Sequence, residues 1–235
     1  MIAPSASETR ILSDFASDAA RLILEQARAA IAERGTFRIA LAGGETPAGI
    51  YAKMAEFAAD LPWQRVQFTF GDERCVAPSD AQSNFRMAKQ SLFHRAGIAE
   101  GNVFRVRGEL PPEEAALEYE GKLAAFASRL NEARYVHDLV LLGLGPDGHT
   151  ASLFPGSPAL DEVERNVIPT IGPKPPPQRI TMTFPLINAA RRVFFLVNDP
   201  AKQPVIDDIL AGRNGHPAGK IRPDHGQVTW LIGRK

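Results

Sequence analysis

The sequence predicts an α/β protein: a three-layer, Rossmann-like fold with a mostly parallel central sheet flanked by helices. Three observations carry this. Strand-like segments alternate with segments of helical periodicity almost from end to end, as in successive βαβ units. Several strand segments, such as DLVLL (138–142) and RVFFLV (192–197), are continuously apolar, the pattern of strands covered on both faces. The chain has 235 residues, enough for one large domain of this kind, so 1–235 is expected to be a single α/β domain.

The elements follow in order. Met1 to Arg10 reads as a short polar tail without the apolar core of a signal peptide. Ser13 is placed to cap a long helix whose stripe is Phe15, Ala19, Leu22, Ile23, Ala27, Ala30 and Ile31, with Gly35 as its stop. FRIALA (37–42) is a strand, and GGETP turns the chain into a helix capped by Thr46 that starts with Pro47 and runs to about Phe57. VQFTF (66–70) is the next strand, followed by a polar loop and a helix from about Ser83 to Arg95. VFRV (103–106) is a candidate strand. Pro111, Pro112, Glu113 and Glu114 open a helix reaching about Leu130, with acids in the turn where the helix dipole favours them. Strands at 138–142, 179–183, 192–197 and 227–232 follow, with a helix near 201–211. Between them, IGPKPPPQ (171–178) is too rich in proline for strand or helix; it reads as a surface connector, with a semi-rigid lip over a site as the other reading.

Composition narrows the function classes. Lys plus Arg and Asp plus Glu both number 27, so no global charge attracts nucleic acid or an anionic membrane, and any anion site must be local. Cys75 is the single cysteine, which excludes an internal disulfide and a thiolate metal cage. No apolar run reaches the ~18 residues of a membrane span. His94, His137, His216 and His225 lack metal-ligand spacing. A cytoplasmic protein without metal or cofactor is expected.

In parallel α/β sheets ligands sit beyond the carboxyl ends of the strands, so the residues following each strand matter most. Gly43, Gly44, Glu45 and Thr46 lead into a helix N-terminus, which is either a phosphate cradle or a tight turn that needed glycine. Asp72, Glu73 and Arg74 put charges at the next strand end, where chemistry and a local ion pair are the alternatives. Asp147 and His149 lie two apart in a glycine-rich loop, either a general base with its carboxylate or a His that satisfies loop carbonyls. Lys202 opens a late helix and Arg179 begins a strand; each alone reads as a solvated cation, and together with the glycine cradle they are the residue types of a phosphate site. Ser152 reads as local structure, since no G-x-S-x-G elbow is present.

Gly143-x-Gly145-x-x-Gly148 has the spacing of a dinucleotide fingerprint, but its context is wrong. That fingerprint opens a long helix and has an acidic residue about twenty positions on. Here Pro155, Gly156 and Pro158 end any helix early, and the segment beyond is VIPTIGPKPPP.

Taken together, GGETP, GDER…SN, LGLGPDGHTASLFPG, RIT and a late Lys resemble the 6-phosphogluconolactonase family, in matching order from about Ala6 onward. The related glucosamine-6-phosphate deaminases share the G-x-G-x-D-G-H loop but carry a catalytic glutamate five residues after its His. Phe154 stands there in this chain and favours the lactonase. The resemblance implies hydrolysis of 6-phospho-D-glucono-1,5-lactone, the second step of the oxidative pentose phosphate pathway. In that reading His149 is the general base and Asp147 its orienting partner. N–H groups at Gly43 and Gly44, with Arg74, stabilise the oxyanion, and Asp72 binds sugar hydroxyls. Arg179 and Lys202, with Gly44 and Thr46, hold the phosphate. Asp199 stands where the family more often has glycine, which bears on how Lys202 is placed. The partner is then a small sugar-phosphate lactone, with no nucleic acid, no membrane and a monomer expected. A sugar-phosphate deaminase or isomerase and a non-catalytic sugar-phosphate sensor are the other readings.

Overall fold

The computed structural model describes residues 7–213 and 215–234. Nine strands and six α-helices occur among the described residues: β1 Glu8–Leu12, α1 Phe15–Arg34, β2 Phe37–Leu41, α2 Glu45–Phe57, β3 Val66–Phe70, β4 Asp72–Arg74, α3 Asn84–Ala88, α4 Pro112–Arg129, β5 Leu139–Leu142, β6 Val167–Ile171, β7 Gln178–Met182, α5 Phe184–Asn188, β8 Arg192–Val197, α6 Gln203–Leu210 and β9 Gln227–Gly233. Six strands form a parallel sheet in the order β1-β9-β8-β5-β2-β3. β4, β7 and β6 form a separate antiparallel sheet.

The apolar strands explain the layers. In β5 all four side chains are buried, Leu139 and Leu141 in one core and Val140 and Leu142 in the other. One core packs α1 and α2 against the sheet and the other packs α4. A strand buried this way gains roughly 1.5–3 kcal/mol per large aliphatic side chain. In the α4 core Phe195 and Trp230 stack with centroids 4.0 Å apart.

Several boundaries differ from the sequence reading. The tail reading ends at residue 6: residues 1–6 lie outside the described residues, and Glu8–Leu12 is an edge strand on β9. Its polar, mostly exposed side chains hide strand character, because pairing at an edge is made by the backbone. Asp14, not Ser13, caps α1 by accepting from Ser17 N; Gly35 ends it at φ 79°, as expected of a left-handed C-cap. Gly44 rather than Thr46 precedes α2, without a side-chain cap, so Thr46 lies within the first turn. Ser83 does cap α3, accepting from Arg86 N, and the helix passes into a π-helical turn at Lys89–Phe93. VFRV forms only a single bridge, Phe68 to Val103. The predicted strand at 179–183 exists, but it belongs to the small antiparallel sheet, where it pairs with the unanticipated β4 and β6. Pro169 masks β6 in the sequence; proline is tolerated there because β6 is an edge strand. The proline-rich segment is the β6–β7 hairpin connection, closed by Gly172 N donating to Pro177 O at 2.7 Å.

Candidate active site

β2, β3, β5 and β8 are neighbours in the parallel sheet and end on the same side, so the residues after each converge. A cavity of about 650 Å³ opens there. Its walls include Gly43, Gly44 and Thr46 after β2, Asp72 and Arg74 after β3, and Asp147 and His149 after β5. Lys202 after β8 and Arg179 from the small sheet complete it, so these nine residues face one space, while Glu73 and Ser152 are not in its lining. A larger cleft of about 1010 Å³ adjoins it and shares Asp147, Phe154 and Pro173, but the cations converge on the smaller one.

The β5 loop is built around one contact. His149 Nδ1 lies 2.5 Å from Asp147 Oδ1, which also accepts the His149 amide at 3.2 Å. Burial acts to raise the Asp147 carboxyl, but these bonds from His149 outweigh it and hold the pKa below the ordinary value. A carboxylate only accepts, so the proton of this contact belongs to Nδ1 of His149. Phe154 supports the imidazole with its ring 4.6 Å away. The glycines now have separate explanations. A Cβ on Gly145 would come within 2.0 Å of His149 Nδ1, whereas one on Gly143 would meet nothing within 4 Å. Gly148 adopts φ 79°. Ala151 also has positive φ, 47°, a strained conformation for a residue with a side chain, two positions beyond the imidazole.

The charges of 72–74 divide between site and scaffold. Glu73 turns inward and accepts from Ser83 Oγ and from the amides of Arg74, Asn84 and Phe85, which ties β4 to the start of α3. Its burial pushes its pKa up, against those bonds. Asp72 is also buried; Ser152 Oγ donates to one oxygen at 2.6 Å and Asn84 Nδ2 to the other at 3.1 Å. Ser152 thus ties the β5 loop to distant strands, its amide donating to Thr181 Oγ1 at 3.2 Å, rather than serving the local structure its sequence context suggested.

Arg74 and Arg179 are direct cross-strand partners in β4 and β7. Like charges opposite one another destabilise a sheet. Arg74 donates to the carbonyl of Gln82, and Arg179 to those of Pro176 and Lys174. Among the described residues neither is ion-paired with a carboxylate. Burial, then the Arg74 charge, hold the Arg179 guanidinium below its ordinary pKa. Asp72 and Glu73 are near enough to act on Arg179 without ion-pairing it, so the two adjacent guanidinium groups keep charge-assisted donors for an anion. Asp199 accepts from Ala201 N at 3.0 Å and so caps the short helical turn carrying Lys202, which still reaches the cavity wall.

Two lining residues escaped the sequence reading. Asn84, which the sequence placed only near the start of a helix, packs on Gly43 so closely that a Cβ there would lie 2.0 Å from its Oδ1. Lys174 lines the cavity from the proline-rich connection, as does Pro173, so that connector is also a lip. The SN pair was a signal for the first; nothing in the proline run singled out the second.

The family model of glucosamine-6-phosphate isomerases/6-phosphogluconolactonase matches residues 12–230. A 6-phosphogluconolactonase of Synechocystis is 42% identical, over 86% of this chain and 84% of its own length. The human 6-phosphogluconolactonase is 38% identical over 91% and 84% respectively. The crystal structure of 6-phosphogluconolactonase from Thermotoga maritima superposes with a TM-score of 0.86 at 32% identity, covering 97% of this chain and all of that one. A chain with this sheet order, this loop set and these relatives belongs to the glucosamine-6-phosphate isomerase/6-phosphogluconolactonase family.

Proposed function

We propose that this chain hydrolyses 6-phospho-D-glucono-1,5-lactone to 6-phospho-D-gluconate, as a cytoplasmic monomer needing no cofactor. The observation that carries the reading is the Asp147–His149 pair facing the same cavity as Arg74, Arg179 and Lys202, with an apolar ring, Phe154, where a deaminase would place a carboxylate. Arg179 and Lys202 hold the 6-phosphate, with Thr46 and the free N–H groups of the α2 terminus at Gly44. Nε2 of His149 removes a proton from water as it attacks C1, and Asp147 stabilises the imidazolium that forms. The oxygen of the lactone carbonyl gathers negative charge, which the Gly43 and Gly44 amides and Arg74 stabilise. The C1–O5 bond then breaks, and the ring oxygen takes the proton from His149. Asp72 keeps acceptor capacity for a sugar hydroxyl, since each carboxylate oxygen has two lone pairs and each is engaged once by the protein.

The direct test is turnover of freshly generated 6-phosphogluconolactone, corrected for spontaneous ring opening, beside an ammonia assay on glucosamine 6-phosphate. Lactone turnover without ammonia release supports the reading. Ammonia release, or binding of the lactone without turnover, sinks it.

A further inference from the structure

A second cavity, of about 980 Å³, lies beyond the β3 edge of the sheet, between the π-helical turn, the segment 98–107 and α4. It shares no lining residue with the lactone cavity. Arg86, Lys89, Arg105, Arg107, Lys122 and Arg129 line it, against one carboxylate, Glu100. Basic and acidic residues balance over the whole chain, so this excess is local. Glu109 and Glu118 pair with Arg105, Arg107 and Lys122. Among the described residues Arg86, Lys89 and Arg129 have no carboxylate partner.

Four phenylalanines share the remaining wall with Ile98, Val103, Gln90 and His94 among others. Phe85, Phe93, Phe104 and Phe126 line the same space. Lys89 and Arg105 lie over the Phe85 ring at 5.9 and 5.6 Å, and Phe104 meets Phe126 edge to face at 5.4 Å. Lys89 is free of a carboxylate partner among the described residues while Arg105 is held by Glu109, and rings beside a free cation suit a ligand that is flat at one end and polyanionic at the other, because stacking and charge-assisted hydrogen bonds are satisfied together. The volume lies within the ~300–1,000 Å³ of small-molecule sites, which favours one compact ligand over a protein surface.

We propose that this cleft binds a nucleoside polyphosphate, its base against the phenylalanine wall and its phosphates on Arg86, Lys89 and Arg129. The site is separate from the lactone cavity yet mechanically joined to it. Phe85 and Arg86 stand in the cleft on the same short helix whose first residue, Asn84, lines the lactone cavity, and the Asn84 and Phe85 amides both donate to Glu73 at 2.8 Å.

Calorimetric titration of the full chain with ATP tests this. Saturable one-to-one binding is expected, weakened about tenfold or more by Arg86→Ala with Lys89→Ala, since each removes a charge-assisted contact. Arg179→Ala should leave ATP binding unchanged, which separates this site from the phosphate cradle. Adenosine and tripolyphosphate should each bind more weakly than ATP. Absence of binding at millimolar ATP, binding that survives the double substitution, or loss of binding in Arg179→Ala instead, overturns the assignment. Tripolyphosphate binding as tightly as ATP overturns the nucleoside half of it.

Discussion

The two ends of the parallel sheet treat charge in opposite ways. At the amino end charges are matched. Arg38 makes a two-pronged pair with Glu132 at 2.6 and 3.0 Å. Asp138 accepts from the Arg38 amide and from Arg34, and lies 3.4 Å from Arg191. At the carboxyl end Arg74 and Arg179 face each other, and among the described residues their side chains bond carbonyl oxygens and no carboxylate. The first arrangement stabilises the fold. The second leaves guanidinium groups facing the cavity, the arrangement on which the proposed phosphate site rests. The histidines divide in the same way. His149 stands at the cavity with its carboxylate, whereas His137, just ahead of β5, is fully buried against Thr69 Oγ1 at 2.9 Å.

Substitutions at the two ends should therefore separate activity from stability. The largest effect is expected for His149→Ala: kcat for the lactone should fall about 10²–10⁴-fold with little change in Tm. A near wild-type rate would remove the general base from the proposed mechanism. At the other end, Asp138→Ala leaves the Arg38 amide without its acceptor, while Arg34 keeps Glu33, so denaturant unfolding should show a loss on the order of 1–3 kcal/mol with KM unaltered. An intact unfolding free energy would break the contrast.

Arg179→Ala should raise KM about 10- to 100-fold, the loss of a hydrogen bond to a charged group, and should not destabilise the protein, because it relieves repulsion with Arg74. A pure kcat loss would argue against phosphate binding. The buried histidine gives a pH signature. Burial, with Arg38 nearby, depresses His137 to about 3 from its ordinary value of 6.5. Its contribution to stability is then fully present above about pH 6.5 and is lost as pH falls toward 3, because only the unfolded chain takes up the proton in that window. Unfolding free energies measured across this range should decline, and more shallowly in His137→Gln. The smallest effect is expected at Gly143→Ala, where a methyl group meets open space and activity should persist. Gly145→Ala, in the same loop, should disable turnover by displacing His149; equal outcomes for the two glycines would mean the loop is looser than its contacts imply.

Legibility followed burial. Strands 138–142 and 192–197 were readable because both faces are covered and their apolar runs are unbroken. The edge strands β1 and β6 were not, since a polar edge and a strand proline look like tail and loop when pairing partners are unknown. At the site, residues ending the large-sheet strands were readable from the rule that such ends carry ligands. Asn84 and Lys174 were hidden because their roles depend on which backbone they pack against.

By itself the sequence determined the alternation of elements, the Asp147–His149 pair and the residue types able to meet a phosphate, because these depend on neighbours a few positions away. The tertiary structure alone decided that Arg179, from a separate antiparallel sheet, would stand opposite Arg74. It also turned Glu73 into the scaffold while Asp72 lines the cavity. Strand register and sheet order bring together residues a hundred positions apart, and no local pattern encodes that pairing.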